Sequence, residues 1–296
     1  MNIGEKIRSL RLAKLMTQSE LAGNHMTRNM LSCIESGAAQ PSLSTLTYIA
    51  ERLNVPAGFF LAEEGDEIVY QKMNSLANIK RAYKARDFFG CRSLCLSSCP
   101  EPDDEIRFLL AECDMEIAKD SFWQGKLRLA CRFFDEALLY SNETLYRMPH
   151  IKAESEVYFR YMRKISATLY SDVMNDSERL SVLCRTPFSV YADALEALEQ
   201  GNRAPADRYG EDFSEERGFF AVHLQVRLLM DRAEYQRSKE ELLNLLQSDT
   251  PINEVNLYAI LCDLEICCRE TDDYKGAYRY TNEKVELLEQ LLKNNV

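Results

Sequence analysis

Apolar positions recur with a helical period along almost the whole chain. Ile3, Ile7 and Leu10 fall on one face and predict a first helix ending near Leu15. Thr17, followed three positions later by Glu20, spells a capping box, so a second, short helix starts there and turns Leu21 and Ala22 inward. Gly23-Asn24 reads as a helix stop and turn. Thr27 then caps a third helix, with Met26, Leu31 and Ile34 inward and Arg28, Asn29, Ser32 and Cys33 outward. Ser36-Gly37 ends that helix, and Ser42 caps the next, whose inner stripe is Leu46, Ile49, Ala50 and Leu53. After it, "NVPAGFFL" returns Phe59 and either Phe60 or Leu61 to the core. Five short helices are expected through Ala62.

Beyond Leu61 the acidic turn "AEEGDE" suits a boundary, and from Ile68 the pattern is helical nearly to the end. Polar breaks interrupt it: "SSCPEPDD", "YSNETLYRMP", "EQGNRAPADRYG" and "QSDTPINE". Four stretches share a polar turn, an aromatic residue and a new helix: "ARDFFGCRSL", "AKDSFWQGKLRLACRFFDEAL", "DRAEYQRSKEELLNLL" and "TDDYKGAYRYTNEKVELLEQLL". Phe89 to Trp123 spans 34 positions and Tyr235 to Tyr274 spans 39. Periods of this size mark stacked helix pairs, each too small to bury its apolar face alone. The last helix, with Val285, Leu288 and Leu292 on one face, either caps the array or pairs with a second subunit.

Charge changes the picture. The 296 residues carry a net −11. Through Ala62, however, Lys6, Arg8, Arg11, Lys14, Arg28 and Arg52 stand against Glu5, Glu20, Glu35 and Glu51, a balance of +2, so the remainder holds −13. A nucleic-acid surface is therefore possible only in the first segment. No run approaches the length of a membrane span, and the first turn already carries Glu5, Lys6, Arg8 and Arg11, so neither a span nor a secretory leader is expected. The 10 cysteines then belong in a reducing cytoplasm, as small buried hydrophobes.

The stretch "IGEKIRSLRLAKLMTQSELA…TRNMLSCIESGAAQPSLSTLTYIAERLNVPAGFFL" resembles the helix-turn-helix domain of the lambda repressor and Cro type, also called the xenobiotic-response-element family. The resemblance spans Ile3 to Leu61 and keeps the Arg, the Gln-x-x-Leu-Ala, the Ser-x-Ile-Glu-x-Gly and the Pro-Ser in order. One departure is a turn, Gly23 to Met26, about one residue shorter than the common pattern. The resemblance implies that Gln18 touches backbone phosphate and that Arg28 and Asn29 are the exposed first-turn positions of a reading helix. Their chemistry agrees, since Arg matches guanine O6 and N7, and Asn matches adenine N6 and N7. Thr27 and Ser32 join them as donors to phosphate or a base edge. Arg11 and Glu35 match a scaffold ion pair, Thr17, Thr27 and Ser42 are caps first, and His25 reads as a surface residue.

The expected fold is thus all-α: a five-helix lambda-repressor-like domain over 1–62, a linker over 63–72, and a degenerate tetratricopeptide-like solenoid over 73–296. Domain order and length resemble the Gram-positive regulators that join these two parts and answer to small secreted peptides. That resemblance implies double-stranded DNA, a second copy of the chain and a peptide effector as partners, with Arg160, Tyr161, Asn253, Asn256 and Tyr258 as candidate effector contacts on inner helices. Ordinary helix surface is the plainer reading of those five. An interaction scaffold using the repeat groove is the alternative function.

No catalytic constellation is visible. Cys91, Cys95 and Cys99 form one helical row, but zinc sites use closely paired ligands on a turn, so packing is expected there. The three histidines are far apart, and no nucleophile elbow, Walker loop or dinucleotide fingerprint occurs. Neither cofactor nor metal is implied.

Overall fold

A computed structural model describes residues 2–62, 67–174, 185–212 and 218–293. Among the described residues it contains 16 helices and no strand, the all-α architecture that the periodicity predicts. Contacts divide the chain into two compact units, Met1–Ile106 and Arg107–Val296.

The first unit opens with α1 (Ile3–Ala13), α2 (Gln18–Ala22), α3 (Arg28–Glu35), α4 (Leu43–Leu53) and α5 (Gly58–Leu61). The starts of α1 to α4 are fixed by side chains that satisfy a backbone N–H left over in the first turn, whereas α5, after Ala57, has no side-chain cap. Thr17, Thr27 and Ser42 accept from the N–H groups of Glu20, Met30 and Thr45, each at 3.2 Å. Asn2 caps α1 with Glu5 reaching back, a second capping box. Ile7, Leu21, Leu31, Ile49 and Leu53 are wholly buried in one core with Ile34 and Phe60. Burial of an aliphatic or aromatic side chain of this size contributes about 1.5–3 kcal/mol. The choice left open by "GFFL" falls to Phe60, since Leu61 stays 59% exposed. Helix α1 ends two residues before Leu15, which turns the chain at φ 55 and is 92% exposed.

Lys6 shows what periodicity misses. Its ammonium is buried and donates to the carbonyl oxygens of Ala62 (2.7 Å) and Phe59 (3.4 Å). Those oxygens lie at the end of α5, where helical partners run out and a cation is favoured. Helix α6 (Glu67–Lys84) adds Tyr70 to the same core, and α7 (Phe88–Ser98) packs on α6. Cys91, Cys95 and Cys99 are buried, the first two on α7 and Cys99 at its C-cap; Cys91 Sγ lies 3.7 Å from the Ile79 carbonyl and Cys99 Sγ 3.1 Å from that of Glu101.

Helix α8 (Asp104–Trp123) leads into the second unit, which continues through α9 (Leu127–Glu143), α10 (Pro149–Ile165), α11 (Pro187–Glu199), α12 (Ala204–Asp212), α13 (Phe219–Asp231), α14 (Tyr235–Gln247), α15 (Glu254–Glu270) and α16 (Tyr274–Leu291). From α9 on, helices pack on chain neighbours, and α11 and α15 each also meet α13. This nearest-neighbour order is that of a repeat array. Polar contacts keep its step: Lys119–Glu154, Arg160–Glu196, Lys164–Glu199, Arg227–Asp263 and Lys239–Asp273 join residues 34 to 36 positions apart.

The four self-similar stretches share one backbone event. Arg86, Gly125, Ala233 and Asp272 all take left-handed φ, between 58° and 72°. In every case that residue's N–H bonds the carbonyl three back and the next N–H bonds the carbonyl five back. This is the Schellman closure, which satisfies two orphan carbonyls and reverses the chain into the next helix. Gly201, at φ 79, repeats it within "EQGNR". Arg86 to Gly125 and Ala233 to Asp272 are each 39 positions. Phe89 and Trp123 are therefore not equivalent, because Phe89 follows its turn and Trp123 precedes its own.

Two long-range features complete this unit. Rings from α8, α10, α11 and α13 form one aromatic cluster, in which Trp123 lies 5.0 Å from Phe188, Phe122 4.9 Å from Tyr158 and Tyr191 4.6 Å from Phe220. The end of the array also returns to its beginning, where Arg128 Nε donates to the Leu292 carbonyl at 2.8 Å and buried Leu291 lies against Gly125. The inner side of α16 is Ala277, Tyr280, Leu287 and Leu291, whereas Val285 is 48% exposed.

Candidate functional site

Helix α3 presents a clear division of labour. Leu31, Ile34 and Glu35 are buried, while Arg28, Asn29, Ser32 and Cys33 stand exposed on the other side. Thr27 spends its oxygen as acceptor for Met30 N, which leaves its hydroxyl proton for an outside acceptor. The exposed set fits a DNA groove: a guanidinium, an amide and hydroxyls on one turn, at a helix N-terminus.

What holds α3 is the expected ion pair. Arg11 grips Glu35 with Nε to Oε1 at 2.6 Å and Nη2 to Oε2 at 2.9 Å, and both residues are buried. Burial alone would raise the Glu35 carboxyl, but hydrogen bonds from Arg11 and Gln18 hold it below the usual range. The Glu35 hydrogen bond in turn raises the Arg11 guanidinium. Gln18, expected at phosphate, thus has one amide N–H already committed inward, with Nε2 2.9 Å from Glu35 Oε2.

The short turn between α2 and α3 is braced from α4. His25 stacks on Tyr48 with ring centroids 4.3 Å apart and planes 12° from parallel. The Arg52 guanidinium also lies by this ring, 5.9 Å from the Tyr48 centroid, and donates to the Glu20 carbonyl at 2.7 Å. His25 is exposed, as the sequence suggests, yet Tyr48 fixes it in place. The sequence carries no signal for this brace, because Glu20 and His25 lie 23 or more positions from Tyr48 and Arg52.

The five effector candidates separate in the second unit. Tyr161 and Tyr258 line one cavity of about 140 Å³, together with Ile165, Leu195, His223, Arg227, Cys262 and Asp263. Burial pushes both phenols up to about 12, so they act there as neutral hydroxyls. Arg160 lies elsewhere, bound to Asp193 at 2.6 Å and Glu196 at 2.5 Å. Asn253 caps α15 by accepting from Asn256 N at 2.9 Å, and Asn256 is buried.

Three of the cavity's lining residues, His223, Arg227 and Asp263, belong to a polar chain that the sequence did not announce. Tyr191 Oη is 2.9 Å from His223 Nδ1, His223 Nε2 is 3.0 Å from Asp263 Oδ2 though poorly aligned with it, and Arg227 Nη1 donates to Asp263 Oδ1 at 2.8 Å. Burial would raise Asp263, but His223 and Arg227 keep it below the usual carboxylate range. His223 and Arg227, four apart on α13, are the sole local hint of this arrangement.

Fold and site together define a chain whose described residues form a helix-turn-helix unit followed by a helical domain. Residues 7–60 match the helix-turn-helix family model, so the N-terminal part is a helix-turn-helix domain of the lambda repressor and Cro type. Among solved structures the chain is similar to PlcR of Bacillus thuringiensis in complex with the peptide PapR7 and DNA, at 14% identity over 99% of both chains with a TM-score of 0.24. It is similar also to ComR from S. thermophilus in complex with DNA and its signalling peptide ComS, at 16% identity over 97% of this chain and 99% of that one, TM-score 0.23. The competence regulator ComR from Streptococcus vestibularis, with its cognate signaling peptide XIP, gives 15% identity, 96% and 98% coverage and a TM-score of 0.21. No curated protein matches the sequence. No described helix is long and apolar enough to cross a membrane.

Proposed function

We propose that this protein is a sequence-specific DNA-binding transcription regulator of the cytoplasm, acting as a dimer, in which 1–62 reads DNA, 63–72 connects, and the tetratricopeptide-like repeats of 73–296 sense an effector. The observation that carries the reading is the exposed row Arg28, Asn29 and Ser32 on a helix anchored by the buried Arg11–Glu35 pair. Thr27 and Gln18 complete the surface as phosphate donors. Two copies would place two such helices in major-groove half-sites one helical turn apart or a multiple of it.

The effector reading rests on the cavity that Tyr161 and Tyr258 share, whose volume of about 140 Å³ suits one bulky residue of a peptide or protein. The step of 34 to 36 residues between polar contacts supports tetratricopeptide-like stacking.

The test is DNA selection with the purified chain, followed by gel shifts of Arg28→Ala and Asn29→Ala on the selected fragment. Each should lose about 1–3 kcal/mol of discrimination at one base position. Affinity should also fall linearly in log–log form as salt rises. Undiminished binding by both variants would remove α3 from the reading role.

A further inference from the structure

Gln18 is not a free surface amide. Its Nε2 donates at 2.9 Å to Glu35 Oε2, the same oxygen that receives Arg11 Nη2 at 2.9 Å, while Arg11 Nε holds Oε1 at 2.6 Å. Arg11 also donates through Nη1 to the Met16 carbonyl at 2.8 Å, fixing the residue just before the α2 cap. The three side chains thus form a single line from α1 through α3 to the first turn of α2. Glu35 is spent on protein partners at both oxygens, and its charge is balanced by Arg11, so no bare carboxylate faces an approaching phosphate. The Gln18 amide is left with one N–H and its Oε1 unspent.

We propose that Glu35 is a positioning residue for DNA recognition: it holds the Gln18 amide so that its remaining N–H meets a backbone phosphate oxygen. This rests on the DNA-binding reading above. A glutamine ordered before the encounter does not lose its rotamer freedom on binding, and that is where the gain in affinity arises. The fixed amide also sets the register in which Arg28 and Asn29 meet the base edges, since phosphate contacts orient the reading helix.

The test is a cycle in the full-length protein. Arg11→Met/Glu35→Met replaces the ion pair by apolar side chains, a change that many proteins tolerate without loss of fold, and it leaves Gln18 without its holder. Gln18→Ala is expected to weaken binding to the selected fragment about three- to tenfold in the otherwise native chain, the size of one ordered side chain, and much less in the double variant. The double variant alone should already show most of that loss. Equal losses from Gln18→Ala in both backgrounds, or no loss in the native one while Arg28→Ala still weakens binding, would overturn the proposal and leave the DNA reading intact. Absence of DNA binding by the native chain would overturn the reading itself. A second measurement needs no variant: the side-chain amide of Gln18 should show an order parameter near that of rigid backbone, about 0.85, and slower proton exchange than exposed Gln40. A Gln18 amide as mobile as that of Gln40 would also overturn the assignment.

Discussion

Gly4→Ala sets two rules against each other. Local propensity favours the change, since alanine in a helix is better than glycine by about 0.5–1 kcal/mol. The structure opposes it: a Cβ on Gly4 would stand 2.1 Å from the Ile34 carbonyl oxygen and 2.9 Å from that of Glu35. Real Cβ atoms do not approach closer than about 3.0 Å, and the atoms in the way are backbone at the end of α3. Helices α1 and α3 would therefore have to part by about an ångström, across a seam lined by fully buried Ile7 and Leu31. Forced overpacking of this kind costs about 1–3 kcal/mol, and a gap of 0.5–1 Å forfeits roughly a quarter to a half of the dispersion along the seam. Strain near 3 kcal/mol less a gain near 1 leaves a net loss of about 2 kcal/mol. Urea unfolding of the full chain, followed by far-UV circular dichroism, should show the first unit melting about 1–2 M earlier. The fluorescence midpoint of Trp123, the one tryptophan and part of the second unit, should not move. Gly37→Ala is the control, because φ there is 76° but the nearest atom is 3.9 Å away, so only backbone strain of about 1 kcal/mol applies. A Gly4→Ala midpoint equal to or above that of the native chain would refute the close approach of α1 to α3.

In the second unit, Ala233 occupies a left-handed Schellman position at φ 60, so Ala233→Gly should raise stability by roughly 0.5–1 kcal/mol, whereas Gly125→Ala, at φ 72 with Leu291 in the way, should lower it; urea melts on Trp123 fluorescence check both. Asp273 is held down to about 2, first by the hydrogen bond from Lys239 and then by that from Gly276 N. A carboxyl depressed on folding stabilises above its unfolded pKa and loses that effect as pH falls through the folded one. The melting difference between native protein and Asp273→Asn should accordingly be full above about pH 4 and close toward pH 2; a pH-independent difference would refute the assignment. Among the described cysteines, exposed Cys33 should react first with a thiol reagent, and bound DNA should slow it. Cys131 and Cys267, pushed up to about 12 by burial, should react last; mass mapping over time decides the order.

Local physics accounts for what could be read in advance. The caps at Thr17, Thr27 and Ser42 and the inner stripe Leu46, Ile49, Ala50 and Leu53 depend on neighbours within one or two turns, and the residues sit where the pattern puts them. The repeated turns were visible because a Schellman closure uses six consecutive residues. Their alignment slipped where aromatic residues served as the marker, since Phe89 and Trp123 lie on opposite sides of their turns. The Arg11–Glu35 pair was legible through family resemblance alone, being 24 positions apart. The Tyr48 brace, the Lys6 cap on α5, and the Tyr191–His223–Asp263–Arg227 chain depend on long-range packing that no window of sequence contains. Asn253 and Asn256 illustrate the converse: resemblance offers them as candidate effector contacts beside the plainer reading as helix surface, and in the structure the first caps α15 and the second is buried beside that cap.

The fold also alters the charge argument for DNA. Of the six cations through Ala62, Lys6 is consumed by α5 and Arg11 by Glu35, so Arg8, Lys14, Arg28 and Arg52 face outward against Glu5, Glu20 and Glu51. The surface balance is therefore +1, not +2, and the rest of the chain is strongly acidic. A surface that weak in net charge gains little from counterion release along arbitrary DNA, while acidic repeats repel it. If α3 reads DNA as proposed, affinity would then come mainly from geometry, through a helix held rigid enough that Arg28 and Asn29 meet base edges without first being ordered. On that proposal the buried side of α3 counts for recognition as much as its exposed side: Glu35 and the Gly4 seam would set where the reading residues stand, and Arg28 and Asn29 would discriminate only as finely as that position is fixed.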